Sequence, residues 1–376
     1  MPAVSSVLVV GAGTAGAATA IFLAREGIAV DLVEIQPEAM ALGSGITLHG
    51  NALRVLKQLG VVDEIIAAGY PFGAFAMRAP DVHATLLAEL PEAKTGGPDL
   101  PTVMGMLRPD LARILVARAG QAGAKIRFGT ACANLEPAAD GVGVAFTDGS
   151  ASRYDLVVGA DGIRSSTRRS IGITAEPRQT GLATWRVRGH RPAAVTRSEL
   201  YVGGRACTAG YTPTGPESLY AFLVVPADDS SGLTPAKQLT RIRGLLSAYH
   251  GPWDDIRASV TAATNVHYTR IETQILDAPW NRGRVVLIGD AAHACPPTMA
   301  QGAAMALEDA AVLSELLITR TTVDDGLWAI FAERRHARAK WIIDTSTEIC
   351  QWLLDGTVGD LAGAMRQLNE LVSIPA

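Results

Sequence analysis

Six residues near the start of the chain, Gly11-Ala12-Gly13-Thr14-Ala15-Gly16, have the spacing G-x-G-x-x-G. These types suit one task, holding a diphosphate against main chain. Gly11 allows a tight turn, Gly13 lets the backbone approach the anion, and Gly16 lets a helix pack on the preceding strand. Thr14 and Ala15 open that helix, whose unpaired N–H groups and partial positive charge favour an anion. Glu34 follows about 20 residues on, where a carboxylate accepts hydrogen bonds from ribose hydroxyls. An acid there disfavours a 2′-phosphate, since two negative charges would meet. The site reads as one for FAD or NAD, not NADP.

Two later clusters carry chemistry-bearing types. Asp161-Gly162, Ser165 and Arg168 give the pattern D-G-x-x-S-x-x-R, and Gly289-Asp290, His293, Pro297 and Gly302 punctuate residues 284–310. Each follows an apolar run, "DLVVG" and "RVVLIG", so each leaves the end of a buried strand. Asp161 also suits a turn cap. His293, in Gly-Asp-Ala-Ala-His, could be a catalytic base by type.

Elements must position these groups. "SVLVV", "GTAGAATAIFLAREG" and "VDLVE" read as strand, helix and strand, a right-handed βαβ unit with its first turn at the carboxyl edge of a parallel sheet. Helices are expected at about 50–60 and over "RPDLARILVARAGQAG", and short strands near 125–128, 131–136, 142–146 and 155–162. The glycines and prolines of 91–101 mark a loop. From about 181 to 275, period-2 stretches such as "ATWRVRG" and "SLYAFLVV" predict an antiparallel sheet. Parallel character returns at 284–288, and the chain is mostly helical from Ala303. The expected fold is α/β: a Rossmann-like FAD-binding domain (1–72, 98–180 and 278–376), an inserted antiparallel β-sheet substrate domain (73–97 and 181–277), and a helical C-terminus.

The three motifs, in this order over residues 5–310, resemble the FAD-dependent aromatic hydroxylases, the single-component flavoprotein monooxygenases typified by p-hydroxybenzoate and salicylate hydroxylases. The resemblance implies that Gly11, Gly13, Gly16 and Glu34 hold the ADP half of FAD, and that Arg108 lies near the flavin's linker. It puts Asp290 on the ribityl chain, the backbone amides of Gly302, Ala303 and Ala304 at flavin N1 and O2, and Pro297 beside the reactive face. Asp161 and Arg168 belong to a motif tied to FAD and pyridine-nucleotide handling. For His293 the resemblance implies a structural turn residue. The implied reaction hydroxylates an electron-rich aromatic or heteroaromatic ring with O2 and NADH or NADPH through a flavin C4a-hydroperoxide. NADH or NADPH would bind transiently, since no second glycine fingerprint exists. Ala303-Ala304 departs from the G-x-N of many relatives, and the missing W-x-W-x-I-P segment argues against flavin halogenases.

Within the expected sheet, Arg186, Tyr201, Tyr220 and Arg270 are candidates to bind substrate, and His190, His267 and Tyr211 are candidates for the base that takes a phenolic proton. Strand alternation puts about half of such residues on the wrong face. His49 and Cys295 lie near flavin-facing loops, where core or surface roles are expected. An FAD-dependent dehydrogenase or reductase of the same fold, and a nucleotide-binding protein without turnover, stay open on sequence alone.

Composition limits the partners. A net charge of −4 and no basic run beyond Arg168-Arg169 and Arg334-Arg335 argue against nucleic acid or an anionic membrane. Cys132, Cys207, Cys295 and Cys350 have no metal-ligand spacing, so no metal is expected and a reducing cytoplasm fits. The apolar start lacks a preceding basic residue and continues into a second strand, unlike a signal peptide. The expected assembly is a monomer or homodimer.

Overall fold

The computed structural model describes residues 1–39, 45–262, 264–357 and 359–376. One sheet has six strands in the order Asn281–Arg282, Val285–Leu287, Leu156–Gly159, Ser6–Val10, Ala29–Glu34 and Lys125–Phe128. All neighbours run parallel except the short edge strand Asn281–Arg282. Both faces are covered, which explains the unbroken apolar runs. Val7, Val9, Leu156 and Val286 pack with helices Thr14–Arg25 and Gly302–Thr319. Leu8, Val10, Val157 and Val285 pack instead on a three-stranded meander through Leu135, Val142, Val144 and Phe146.

The central strand Ser6–Val10 has Leu156–Gly159 on one side and Ala29–Glu34 on the other. The sheet order therefore reverses there, the point at which open α/β sheets bind ligands. Gly11, Asp161, Gly289 and Asp290 all follow the carboxyl ends of these parallel strands.

A second sheet has eight strands in the order His293–Ala294, Val266–Ile275, Arg178–His190, Ser218–Pro226, Thr208–Pro213, Ser198–Val202, Ala74–Arg78 and Leu86–Pro91. Its neighbours are antiparallel except Ala74–Arg78 beside Ser198–Val202. Helices Pro235–Leu246 and Pro252–Ser259, hidden among the period-2 stretches, cover one face. Ala183, Trp185, Val187, Leu219, Ala221 and Leu223 point to them and pack against Ile242, Leu246, Trp253 and Ile256. Alternate residues point the other way: Leu182 and Val224 meet Cys350 of the long helix Asp325–Asp355.

A small antiparallel sheet of Ile46–His49, Val103–Met106 and Tyr70–Phe72 fills the gap between the two large ones. Its central Gly105 is pressed so close that a Cβ would stand 2.0 Å from the Pro213 carbonyl oxygen. The chain closes as helices Gly302–Thr319, Asp325–Asp355 and Leu361–Ser373, the last two capped by the Asp324 and Asp360 carboxylates. Among the described residues no helix is long and apolar enough to cross a membrane.

Candidate active site

The three glycines of the first turn have separate physical reasons. A Cβ on Gly11, which has φ +101°, would lie 2.4 Å from the Ala160 carbonyl oxygen, and one on Gly16 would lie 1.9 Å from that of Gly11. A Cβ on Gly13 would meet nothing within 4 Å, and neither would one on Gly302. The first two positions are small because protein surrounds them, the other two although protein leaves room. Neither helix that follows, Thr14–Arg25 or Gly302–Thr319, has a side-chain cap, so their first-turn N–H groups stand ready for a ligand. Gly289, at φ +57°, joins the two ends, because its Cβ position lies 3.1 Å from Ala15 Cβ and 3.4 Å from Ala306 Cβ.

Charged groups bracket this groove. Glu34 accepts from the Ala12 N–H and the Gln36 N–H, both at 2.9 Å, which fixes its carboxylate beside the glycine turn and leaves a lone pair on each oxygen. Asp290 is accessible to water, yet desolvation raises its carboxyl above the ordinary range. The Arg108 charge opposes that rise at Asp290, and Arg108 Nε donates to the Gly45 carbonyl at 3.0 Å. Cys295, pushed up to about 12 by burial, and His49, lowered to about 4 by burial, are likewise partly accessible and desolvated. Pro297 is exposed at the start of the short turn that leads to Gly302.

Asp161 has the turn-capping role. Its carboxylate accepts from Ser165 Oγ, Ser166 Oγ, Thr167 Oγ1 and the Thr167 N–H, all within its own loop. Arg168, fully buried, donates to the Ala291 carbonyl at 3.1 Å and the Ile163 carbonyl at 3.0 Å. The second motif is thus a bracket holding the Gly289–Ala291 turn.

The eight-stranded sheet separates the substrate candidates. Arg186 pairs across strands with Phe222 and His267, and Arg188 with Tyr220, on the face turned toward the groove. Tyr220 Oη lies 3.2 Å from Thr47 Oγ1, and a Cβ on Gly45 would strike its ring, so this face meets the small sheet directly. Farther along, His190 and His267 line a cleft of about 960 Å³ with Arg188, Leu107 and Pro109, beside Arg108.

Three candidates point the other way. Tyr201 and Tyr211 are fully buried under the covering helices, 6.0 and 5.4 Å from the Trp253 ring. The Tyr211 hydroxyl donates to Glu199, itself held by Arg78, and burial followed by its neighbours Tyr201 and Glu199 raises its pKa further from neutrality. It cannot serve as the base. Arg270 donates to the Asp228 carbonyl and to Asp229 on that same side. Sequence alternation left the choice of face open, and the covering helices decide it.

A buried polar network behind the groove escaped sequence reasoning. Glu308 and Asp309 on one helix meet Arg335 and Arg338 on the next, and Asn51 donates to Gln301 and Glu308. The adjacent acids and the i, i+3 arginines were its only signal. His293 joins it through Asp309, in keeping with a structural turn residue.

A parallel sheet with two uncapped helix ends and a carboxylate beside each defines a dinucleotide-binding protein. Known proteins agree. The sequence model of the FAD binding domain family matches residues 4–346. The chain is 33% identical over 349 residues to 2-heptyl-3-hydroxy-4(1H)-quinolone synthase of Pseudomonas aeruginosa, covering 90% of this chain and 86% of that protein. It is 33% identical over 327 residues to 3-amino-4-hydroxybenzoate 2-monooxygenase of Streptomyces cremeus, covering 84% and 79%. The fold matches that of Klebsiella pneumoniae HpxO complexed with FAD and uric acid, with a TM-score of 0.82 at 23% identity over 98% of this chain and 92% of the other. The chain belongs to the FAD binding domain family and is an FAD-dependent monooxygenase.

Proposed function

We propose that this monooxygenase hydroxylates an aromatic or heteroaromatic small molecule that binds as an anion, with O2 and NADH or NADPH as co-substrates. Residues 73–97 and 181–277 act as its substrate domain. The carrying observation is Arg186. Its guanidinium is desolvated enough to fall to about 10, is pushed further by the nearby Arg108, and donates to Thr269 Oγ1 at 2.7 Å. Among the described residues it has no carboxylate in ion-pair reach. Arg186 is partly accessible, and a desolvated cation without a partner is costly. An acidic ligand relieves that cost. The relatives named for aminohydroxybenzoate and hydroxyquinolone, and the HpxO complex with uric acid, act on or hold ring systems of this kind.

FAD, when bound, supplies the electrons and activates the oxygen. Gly11, Gly13, Thr14, Ala15, Gly16 and Glu34 hold its adenosine diphosphate end; Arg108, Asp290 and the amides of Gly302, Ala303 and Ala304 hold the rest. Arg186 binds the ionised hydroxyl or carboxylate of the substrate through charge-assisted hydrogen bonds, each contributing about 1.5–3 kcal/mol. Holding the hydroxyl as its anion enriches the ring carbon in electrons. Tyr220 positions the ring from the same face, Pro297 bounds the space opposite, and their walls exclude water. A ring nitrogen of His267, across the strand from Arg186, accepts the hydroxyl proton and passes it toward His190 in the cleft.

Substrate-stimulated NAD(P)H oxidation across hydroxybenzoates, hydroxypyridine carboxylates and their neutral esters tests this reading. Acids should stimulate, with labelled oxygen from O2 in the product. Arg186→Met should raise KM for acids at least ~10-fold and leave neutral analogues within about twofold. Equal loss for both classes, or preference for the esters, would refute an anionic substrate.

A further inference from the structure

Asp309 lies 19 residues beyond Asp290 in sequence, in the middle of the helix Gly302–Thr319, and is fully buried. Its Oδ2 accepts the Gly289 N–H at 2.8 Å and lies 2.5 Å from His293 Nε2. Its Oδ1 accepts from Arg335 Nε at 2.8 Å. Gly289 and His293 flank Asp290 on either side along the chain. One carboxylate therefore grips the turn before and after the residue assigned to the ribityl chain, while Arg335 locks that carboxylate from behind.

Arg335 is fixed as well. It donates to Glu308 at 2.8 Å and to the Met305 carbonyl at 3.2 Å, inside the same helix whose first turn faces the flavin. The Asp290 turn and the Gly302–Ala304 amides are thereby referenced to a single side-chain pair. A substituted flavin site needs its supporting shell to hold angles to within about 10–20°. A free turn at φ +57° with no anchored N–H would not supply that.

We infer that Asp309, clamped by Arg335, is a positioning residue that aims the Asp290 carboxylate into the flavin groove. This rests on the reading of Asp290 as a ribityl ligand. Its action differs from general support of the fold, because it acts at the flavin end of the groove and not at Gly11–Gly16 and Glu34.

The experiment compares FAD and ADP binding to apoprotein prepared from the parent, Asp309→Asn, Asp290→Ala and the double variant, by titration calorimetry and flavin fluorescence. Asp309→Asn should weaken FAD at least tenfold, leave ADP within twofold and shift the visible flavin spectrum. The double variant should bind FAD no worse than Asp290→Ala alone. Unchanged FAD affinity in Asp309→Asn, equal weakening of FAD and ADP, or additive losses in the double variant would overturn the inference. Unchanged FAD affinity in Asp290→Ala would overturn the reading beneath it, a separate outcome. Should Asp309→Asn fail to fold, His293→Gln removes half of the grip and should give the same FAD-over-ADP pattern in smaller measure, with equal losses again counting against it.

Discussion

Alanine at Gly13 and alanine at Gly16 separate cofactor space from fold space. Gly13 has φ −70° and ψ −173°, extended backbone open to any residue, and its Cβ position is free. Alanine there loses up to ~1 kcal/mol as a helix cap and gains about 0.4–1 kcal/mol from a less free unfolded chain. The apoprotein should stay within ~1 kcal/mol of the parent. The methyl group does enter the space before the uncapped helix end, so FAD dissociation should rise at least ~10-fold, or about 1.4 kcal/mol. Gly16→Ala puts a methyl 1.9 Å from the Gly11 carbonyl oxygen, backbone that cannot swing aside. Overpacking of that kind typically costs about 1–3 kcal/mol and occasionally more, and it should appear in the apoprotein. Urea denaturation of each apoprotein, followed by FAD titration of the folded ones, makes the comparison. Parent-like FAD affinity in folded Gly13→Ala, or equal destabilisation by both substitutions, would refute the assignment of the groove.

Two more expectations follow from the buried groups. Tyr211→Phe removes a hydrogen bond to a charged carboxylate, so it should destabilise by about 1.5–3 kcal/mol in denaturant while kcat and KM stay within about twofold, as expected of a residue on the far face. The Asp309 carboxyl is held at about 2, against an ordinary 3.8, by His293 and then Arg335, which outweigh its desolvation. A lowered value stabilises the fold above the ordinary pKa and loses that contribution as the pH falls through the lowered one. Melting temperature should therefore drop between pH 4 and pH 2, and Asp309→Asn should drop less steeply over that window.

The nucleotide-binding half was legible because its signals are local. Gly11–Gly16, the apolar strand before them and Glu34 lie within 35 residues and follow one period each. Asp161 showed the limit of motif reading: its hydrogen bonds close within its own loop, a fact that residue types alone leave open. In the eight-stranded sheet, period 2 announced the strands but not which face would be covered. The helices Pro235–Leu246 and Pro252–Ser259 made that choice, and it sent Tyr201, Tyr211 and Arg270 away from the groove. The network around Asn51, Glu308 and Arg335 left only the adjacent acids and the spaced arginines as a trace, for another reason. Its partners lie as far apart as 257 positions, and nothing in a local pattern registers such a distance.

The strand Arg178–His190 writes two messages in alternate letters. Ala183, Trp185 and Val187 maintain the packing under the covering helices, while Arg186 and Arg188 lie on the opposite face. On the proposed reading, changes at Arg186 and Arg188, which are not buried, would retune which molecule is accepted without disturbing the core. For selection, natural or in the laboratory, this separates the search for a new substrate from the survival of the fold.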